Sequence, residues 1–325
     1  MFSPLNTMNR TLATSARAAV IAAAFVSVGI TSASAQIPTA DWYMIDTQAG
    51  DNHWNSVSST ASFKHWADAP TLPGYTGYED RYATAMDANA VYYVAAGKML
   101  RTPGTNTNAA THDTFAGGTL ILAGADLLQR STGTRIASVA DLITLNGTTI
   151  RSGQSTIQNL SVTDFNAYAG TTSFTSQTGR GFNLSITNLS GAADLVFTNG
   201  GTYNLNIGNT ANFTGNMSLT AGTSGEVTKL GFLNNLSFDG SLIINGGNTV
   251  NLTHAVSVSA LSINGDVLGA GTYNYSWLSQ NYATIFTAGN ANGMITVTAI
   301  PEPSTAAALA GLGVLGLACL RRRRQ

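Results

Sequence analysis

Three tryptophans, Trp42, Trp54 and Trp66, stand twelve residues apart near the start of the chain, and His53 and His65 immediately precede two of them. Acidic residues crowd the same stretch: Asp41, Asp46, Asp51, Asp68, Glu79, Asp80 and Asp87. Flat rings flanked by carboxylates can stack on a sugar and hydrogen-bond to its hydroxyls. The same rings can instead close the open end of a repetitive core. The two roles make opposite demands, because a ring that adds its area to a core is buried. The closing role is the expectation, with at least two of the three tryptophans buried. Trp42, Trp54 and Trp66 remain the candidate glycan contacts if it fails.

Elsewhere the groups that do chemistry thin out. Residues 181–299 hold only Asp194, Glu226, Lys229, Asp239 and Asp266 as charged side chains. Cleaving a polysaccharide needs converging carboxylates, or a carboxylate beside a base. Here the aspartates stand next to turns, where Asp serves as a corner residue. Glu226 and Lys229 read as a surface pair of small energetic weight. The chain has no G-x-S-x-G, P-loop or H-E-x-x-H pattern. Beyond the pair His53 and His65, where "KHWAD" could form part of a metal site, His112 and His254 add no ligand-like spacing, and the single Cys319 excludes both a Cys-based site and an intramolecular disulfide. The expectation is no enzyme, no metal and no cofactor.

What positions side chains in this chain is a repeat. "LILAG", "ITLNG", "LVFTNGG", "MSLTAG", "LIINGG" and "LSING" each join an apolar-x-apolar pair to a turn closed by glycine. The closing glycines recur about every 19–30 residues, the interval of repeat architectures. Alternation sends one face of a strand inward, and Asn and Gly supply the left-handed torsions of a sharp corner. A second strand often shares the interval, as in "FNLSI", "YNLNI" and "VNLTH". One such turn cannot bury its apolar face, but stacked turns can. The fold class is therefore all-β: an elongated parallel β-helix, or solenoid. The alternative is an antiparallel β-sandwich, because Asn-Gly between apolar pairs is also a hairpin signal. Asn159, Asn183, Asn188, Asn235 and Asn251 begin Asn-x-Ser/Thr sequences. They read as corner chemistry, with glycosylation left open.

Composition agrees. Charged residues make up 10% of the chain, against about 25% in an average soluble protein. The net charge of −1 conceals an asymmetry, since Arg10, Arg17 and Arg321, Arg322, Arg323 and Arg324 lie in the end segments. Without those six and Glu302, nine basic residues face fifteen acidic ones. An acidic body does not suit nucleic acid, which is bound through clustered Lys and Arg.

The ends carry addresses. Arg10 and Arg17 precede an apolar run at residues 18–30, and Ala33-Ser34-Ala35 offers the small residues that signal peptidase reads. This predicts a signal peptide over 1–35, with Ala33 and Ala35 at the cleavage site and Gln36 as the first mature residue. At the other end, Pro301-Glu302-Pro303 is followed by an apolar run at residues 305–320 and then four arginines. As a helix that run measures about 24 Å, a marginal span suited to a temporary anchor. The arginines stay cytoplasmic, so the prolines lie extended at the outer face of the inner membrane, open to a membrane-embedded processing enzyme.

"PEPST", the apolar run and the terminal Arg cluster resemble the PEP-CTERM sorting signal. The resemblance implies cleavage at or near Pro301, Glu302 and Pro303 by an exosortase, in a Gram-negative cell that makes extracellular polysaccharide. "GDVLGAGTY" resembles the closing segment of β-helical, autotransporter-like surface proteins, and its aromatics would cover the last turn. The organisation expected is a signal peptide (1–35), an N-terminal cap (36–112), a solenoid with closing segment (113–299) and a sorting signal with a hydrophobic helix (300–325). The function expected is that of an exported structural protein of the cell surface or matrix, associated with exopolysaccharide. The other readings are a non-catalytic glycan-binding module, a polysaccharide-active enzyme and an ice-binding protein. The last would need periodic Thr arrays, and the T-x-T pairs Thr105/Thr107 and Thr296/Thr298 have no period.

Overall fold

A computed structural model describes residues 37–44, 54, 66–68, 85–102, 112–130, 136–153, 157–176, 180–198, 201–221 and 227–298. The signal peptide, His53, His65, Glu226, the terminal hydrophobic helix with Cys319, Pro301-Glu302-Pro303 and the four arginines lie outside the described residues. The described residues from Thr39 onward form one compact unit.

That unit is a parallel β-solenoid of about six turns. Its logic is visible in one inward column. Leu127, Ile150, Phe174, Phe197, Leu219 and Ile244 are each paired in register with the next, one turn further along the chain, and all six are buried. Leu195, Met217, Leu242 and Leu261 form the neighbouring inward column. Each turn contributes one apolar residue per column, at the ~4.8 Å spacing of paired strands. The core is thus continuous although no single turn encloses it.

The longer strands bend. In Ile157–Ala169 the alternation slips at Thr163 and Asp164, both of which face outward. In Gly181–Gly191 a similar slip follows Ile186. Each bent strand supplies two flat faces, and a shorter strand such as Thr171–Thr175 or Asp194–Thr198 supplies the third. Some corners leave no room for a side chain. A Cβ on Gly240 would stand 1.8 Å from the carbonyl oxygen of Gly215, one turn away.

The sandwich is overturned at its strongest signal. Asn146 and Gly147 take left-handed torsions, φ 58° and 84°, yet the strands on either side do not pair with each other. Ile136–Leu145 pairs with Ile157–Ala169, and Thr148–Ser152 with Thr171–Thr175, all parallel. The turn carries the chain from one face to the next because both flanking segments have an apolar column to join. Among the described residues, antiparallel pairing occurs only at the two ends of the ladders.

The aromatic core is layered. Phe174 and Phe197 stack at 5.2 Å with 14° between their planes, and Tyr203 packs against Phe197 at 5.2 Å. The Tyr203 hydroxyl donates to the Thr198 carbonyl at 2.7 Å, with the Phe174 carbonyl at 3.0 Å. Burial pushes the pKa of this phenol far above its ordinary value.

Parallel pairing reaches back into the segment expected to be a cap. Val91–Ala95 pairs with Thr119–Ala123, and Met99–Arg101 with Asp126–Gln129. At the other end, Gly271–Asn274 folds antiparallel onto Met294–Val297. A short helix, Tyr275–Asn281, comes next, with the Asn274 side chain accepting from the Trp277 N–H at 2.8 Å. Leu278, Ile285 and Phe286 are buried and cover the last turn.

Candidate functional site

The three tryptophans do not share a face. Trp54 is 0% and Trp66 1% exposed, while Trp42 is half-buried against the core. Trp54 packs on Phe115 with centroids 5.8 Å apart, Phe115 on Tyr92 at 5.5 Å, and Tyr92 edge-on to Trp66 at 4.9 Å. These four rings plug the N-terminal end of the core. The Tyr92 hydroxyl accepts from the Asp87 N–H at 2.8 Å. A ring closed in on all sides offers no face to a sugar.

Outside, polar side chains run in columns along the stack. Asn204 donates to Asn183 at 2.7 Å, and Asn183 to Asn159 at 2.9 Å. Stacked amides of this kind satisfy one another turn by turn. Asn188 donates to Asp164 at 2.7 Å. The amides of three Asn-x-Ser sequences, at Asn159, Asn183 and Asn188, are therefore engaged in the columns. At another corner the Asp194 carboxylate accepts both the backbone N–H (3.0 Å) and the side-chain amide (2.9 Å) of Asn216, whose own oxygen accepts the Ser241 N–H at 2.9 Å. Asp194 is a corner residue, as its place beside a turn suggested.

One column brings two carboxylates onto adjacent turns. Asp141 and Asp164 are register partners, and Thr119 Oγ1 donates to Asp141 at 2.6 Å. Burial holds the Asp141 pKa above its ordinary value; the Thr119 bond lowers it, and the charge of Asp164 raises it. A raised carboxylate stabilises the fold below its unfolded pKa, about 3.9. That contribution is lost as pH rises through the folded pKa. Asp141→Asn should therefore raise the melting temperature at neutral pH and leave it nearly unchanged near pH 3, in thermal unfolding followed at both pH values. An equal shift at both would show that ionisation is not the cause.

Among the described residues, no three His, Cys, Asp or Glu side chains are grouped to hold a metal ion. An open groove of about 450 Å³ lies over Asn209, Thr210, Asn235, Ser237 and Ser257. Leu236 and Val256 share the lining with these hydroxyls and amides, and none of the described residues there is titratable.

Among the described residues the most exposed large aromatic ring is at the opposite end from Trp54. Trp277 is 39% exposed, sits 5.0 Å from Tyr273 and 6.2 Å from Tyr282, and shares this end with Val267, 74% exposed. The chain leaves the fold here. Thr298 is the last described residue, fixed by its N–H donating to the Val258 carbonyl at 2.8 Å.

Residues 299–324 match the PEP-CTERM protein-sorting motif. No match was found among curated proteins or among solved structures. The PEP-CTERM tail implies an exported protein that an exosortase processes, with a transient membrane anchor. Pro301, Glu302, Pro303 and the four arginines fall inside the matched residues. Among the described residues no helix is long and apolar enough to cross a membrane, and the apolar run of the PEP-CTERM tail lies beyond them. The order of parts at this end was legible as sequence. The exposed Trp277 was not, because the sequence pattern showed that its segment departs from the repeat and not which of its rings turn outward.

Proposed function

We infer that the protein is a structural component of the cell surface or extracellular matrix, delivered by its sorting tail and associated with exopolysaccharide, and that it acts without catalysis. The observation that carries this reading is the PEP-CTERM motif placed directly after the last strand of a solenoid. A solenoid suits a scaffold because its stability comes from repeated nearest-neighbour contacts, so it holds together outside the cell without a disulfide. Its neutral hydroxyl- and amide-lined surfaces can hydrogen-bond a polysaccharide along their length. The carboxylates that stand together, Asp141 and Asp164, are engaged with Thr119 and Asn188, which supports a structural use of both. The burial of Trp54 and Trp66 favours their closing role over a sugar-stacking one.

The test is to express the chain in a host with and without its exosortase, and to read intact mass and fractionation. With the enzyme, the recovered protein should begin at Gln36, end near Pro301-Glu302-Pro303 and co-purify with extracellular polysaccharide. Without it, the chain should keep its tail and stay in the inner membrane. Identical mass and fractionation in both hosts would refute sorting. Correct processing with no polysaccharide in the purified matrix would refute the association alone.

A further inference from the structure

We propose that the C-terminal end of the solenoid, built on Trp277, Tyr273, Tyr282 and Val267, docks on the lipid–water interface of the membrane while the tail is still anchored. The inference rests on the membrane-anchor reading of the tail.

Chain length sets the first constraint. Thr298 is pinned to Val258, and the apolar run begins at residue 305. Six residues, Ala299 to Ser304, separate them, and an extended chain gains at most about 3.3–3.6 Å per residue, so the fold lies within roughly 20–25 Å of the point where the anchor enters the bilayer. Pro301 and Pro303 bias the residues before them toward extended torsions. The tether therefore keeps this end of the solenoid, and not its N-terminal end, near the membrane.

Strand direction sets the second. The last strand, Met294–Val297, runs parallel along the first half of Ala255–Ile263. The second half of that same strand is covered by Asp266–Leu268. The chain leaving Thr298 therefore heads toward the strand that carries Val267. Tyr273 is the register partner of Ile295 and packs on Trp277. Val267, Trp277 and the exit of the tail thus belong to one end of the fold, while the other exposed apolar side chains, Val227 and Leu233, stand singly beside the strand Lys229–Phe232.

Side-chain chemistry sets the third. Trp and Tyr favour the interface, where a ring meets the acyl boundary and its polar edge meets water. Asn274, Ser276, Gln280 and Asn281 supply neutral polar groups beside the rings. Asp266 is the only charged side chain in residues 255–298. With no Lys or Arg, this end is not drawn by anionic headgroups, nor by nucleic acid. It fits a zwitterionic lipid surface, in contact insensitive to salt. Docking would hold Pro301-Glu302-Pro303 close to the bilayer, within reach of an enzyme embedded there.

The experiment uses the full, uncleaved chain in phosphatidylcholine vesicles brominated at a shallow acyl position, with Trp277→Phe to isolate the signal of Trp277 from those of Trp42, Trp54 and Trp66. Trp277 should lose most of its emission to the bromines, at low and high salt alike, and the other tryptophans little. In a second variant, about twelve Gly/Ser residues inserted after Ala299 would relax the tether. Docking predicts that the quenching persists. Two results would overturn it: undiminished Trp277 emission in vesicles to which the chain is firmly bound, or quenching that vanishes once the tether is long. A chain that fails to float with the vesicles would overturn the anchor itself, and the docking with it.

Discussion

With Pro301 and Pro303 both replaced by alanine, the chain is expected to remain uncleaved in the inner membrane, with the processed form essentially lost. Proline cannot continue a helix and biases the residue before it toward extended torsions. A helical anchor would therefore stop short of the motif. Alanine is the best helix former, about 3 kcal/mol per residue better than proline in a helix interior. Alanines at both positions would let the helix of the anchor grow back through Glu302, so that the backbone bonds to itself. An enzyme that grips extended backbone, as strand-adding recognition does, would find no free donors or acceptors there. The measurement is intact mass together with membrane fractionation, for wild type and double variant in the same exosortase-bearing host. Equal processing of the two would show that the prolines do not act through backbone conformation.

Trp54→Ala should destabilise the N-terminal end of the solenoid by ~3–5 kcal/mol, the cost typical of deleting a large buried aromatic. Trp54 is fully buried against Phe115, which packs on Tyr92, so its loss opens a cavity in the ring plug that closes the first turns. A solenoid couples each turn mainly to its neighbours. The loss should accordingly be local. Amide hydrogen exchange should quicken at Tyr92 and Leu120, and remain slow at Leu242 and Leu261 near the other end. Thermal unfolding should show an early transition in place of a uniform shift. Polysaccharide binding, measured beside it at a temperature where the variant is folded, should be unchanged. Unaltered melting with lost polysaccharide binding would make Trp54 a sugar contact.

The two ends of the stack illustrate one constraint. A repetitive core has two open faces, and each must be covered by something that does not repeat. At the N-terminal end four rings are turned inward as a plug. At the C-terminal end Leu278, Ile285 and Phe286 cover the core, and Trp277 with its tyrosines is left outside. Both segments stood out in the sequence because their aromatics break the repeat. Whether a given ring covers or is exposed depends on neighbours that the pattern does not name.

The sequence by itself determined the unit of this fold and its address. Apolar-x-apolar pairs closed by Asn or Gly oblige each short strand to bury one face and then turn, and a terminal Pro-Glu-Pro, apolar run and Arg cluster form a contiguous signal readable without any fold. Tertiary structure decided how the turns are used. Asn146-Gly147 and Asn264-Gly265 are the same dipeptide with similar left-handed torsions. The first is a corner between two faces of the stack, while the second closes a true hairpin in which Ile263 faces Asp266. The torsions of the dipeptide permit both. The next strand makes the choice. After Gly147 the inward-facing Thr148 and Ile150 have a further turn to stack on, and after Gly265 the exposed strand Asp266–Leu268 has none, so it folds back onto its own neighbour.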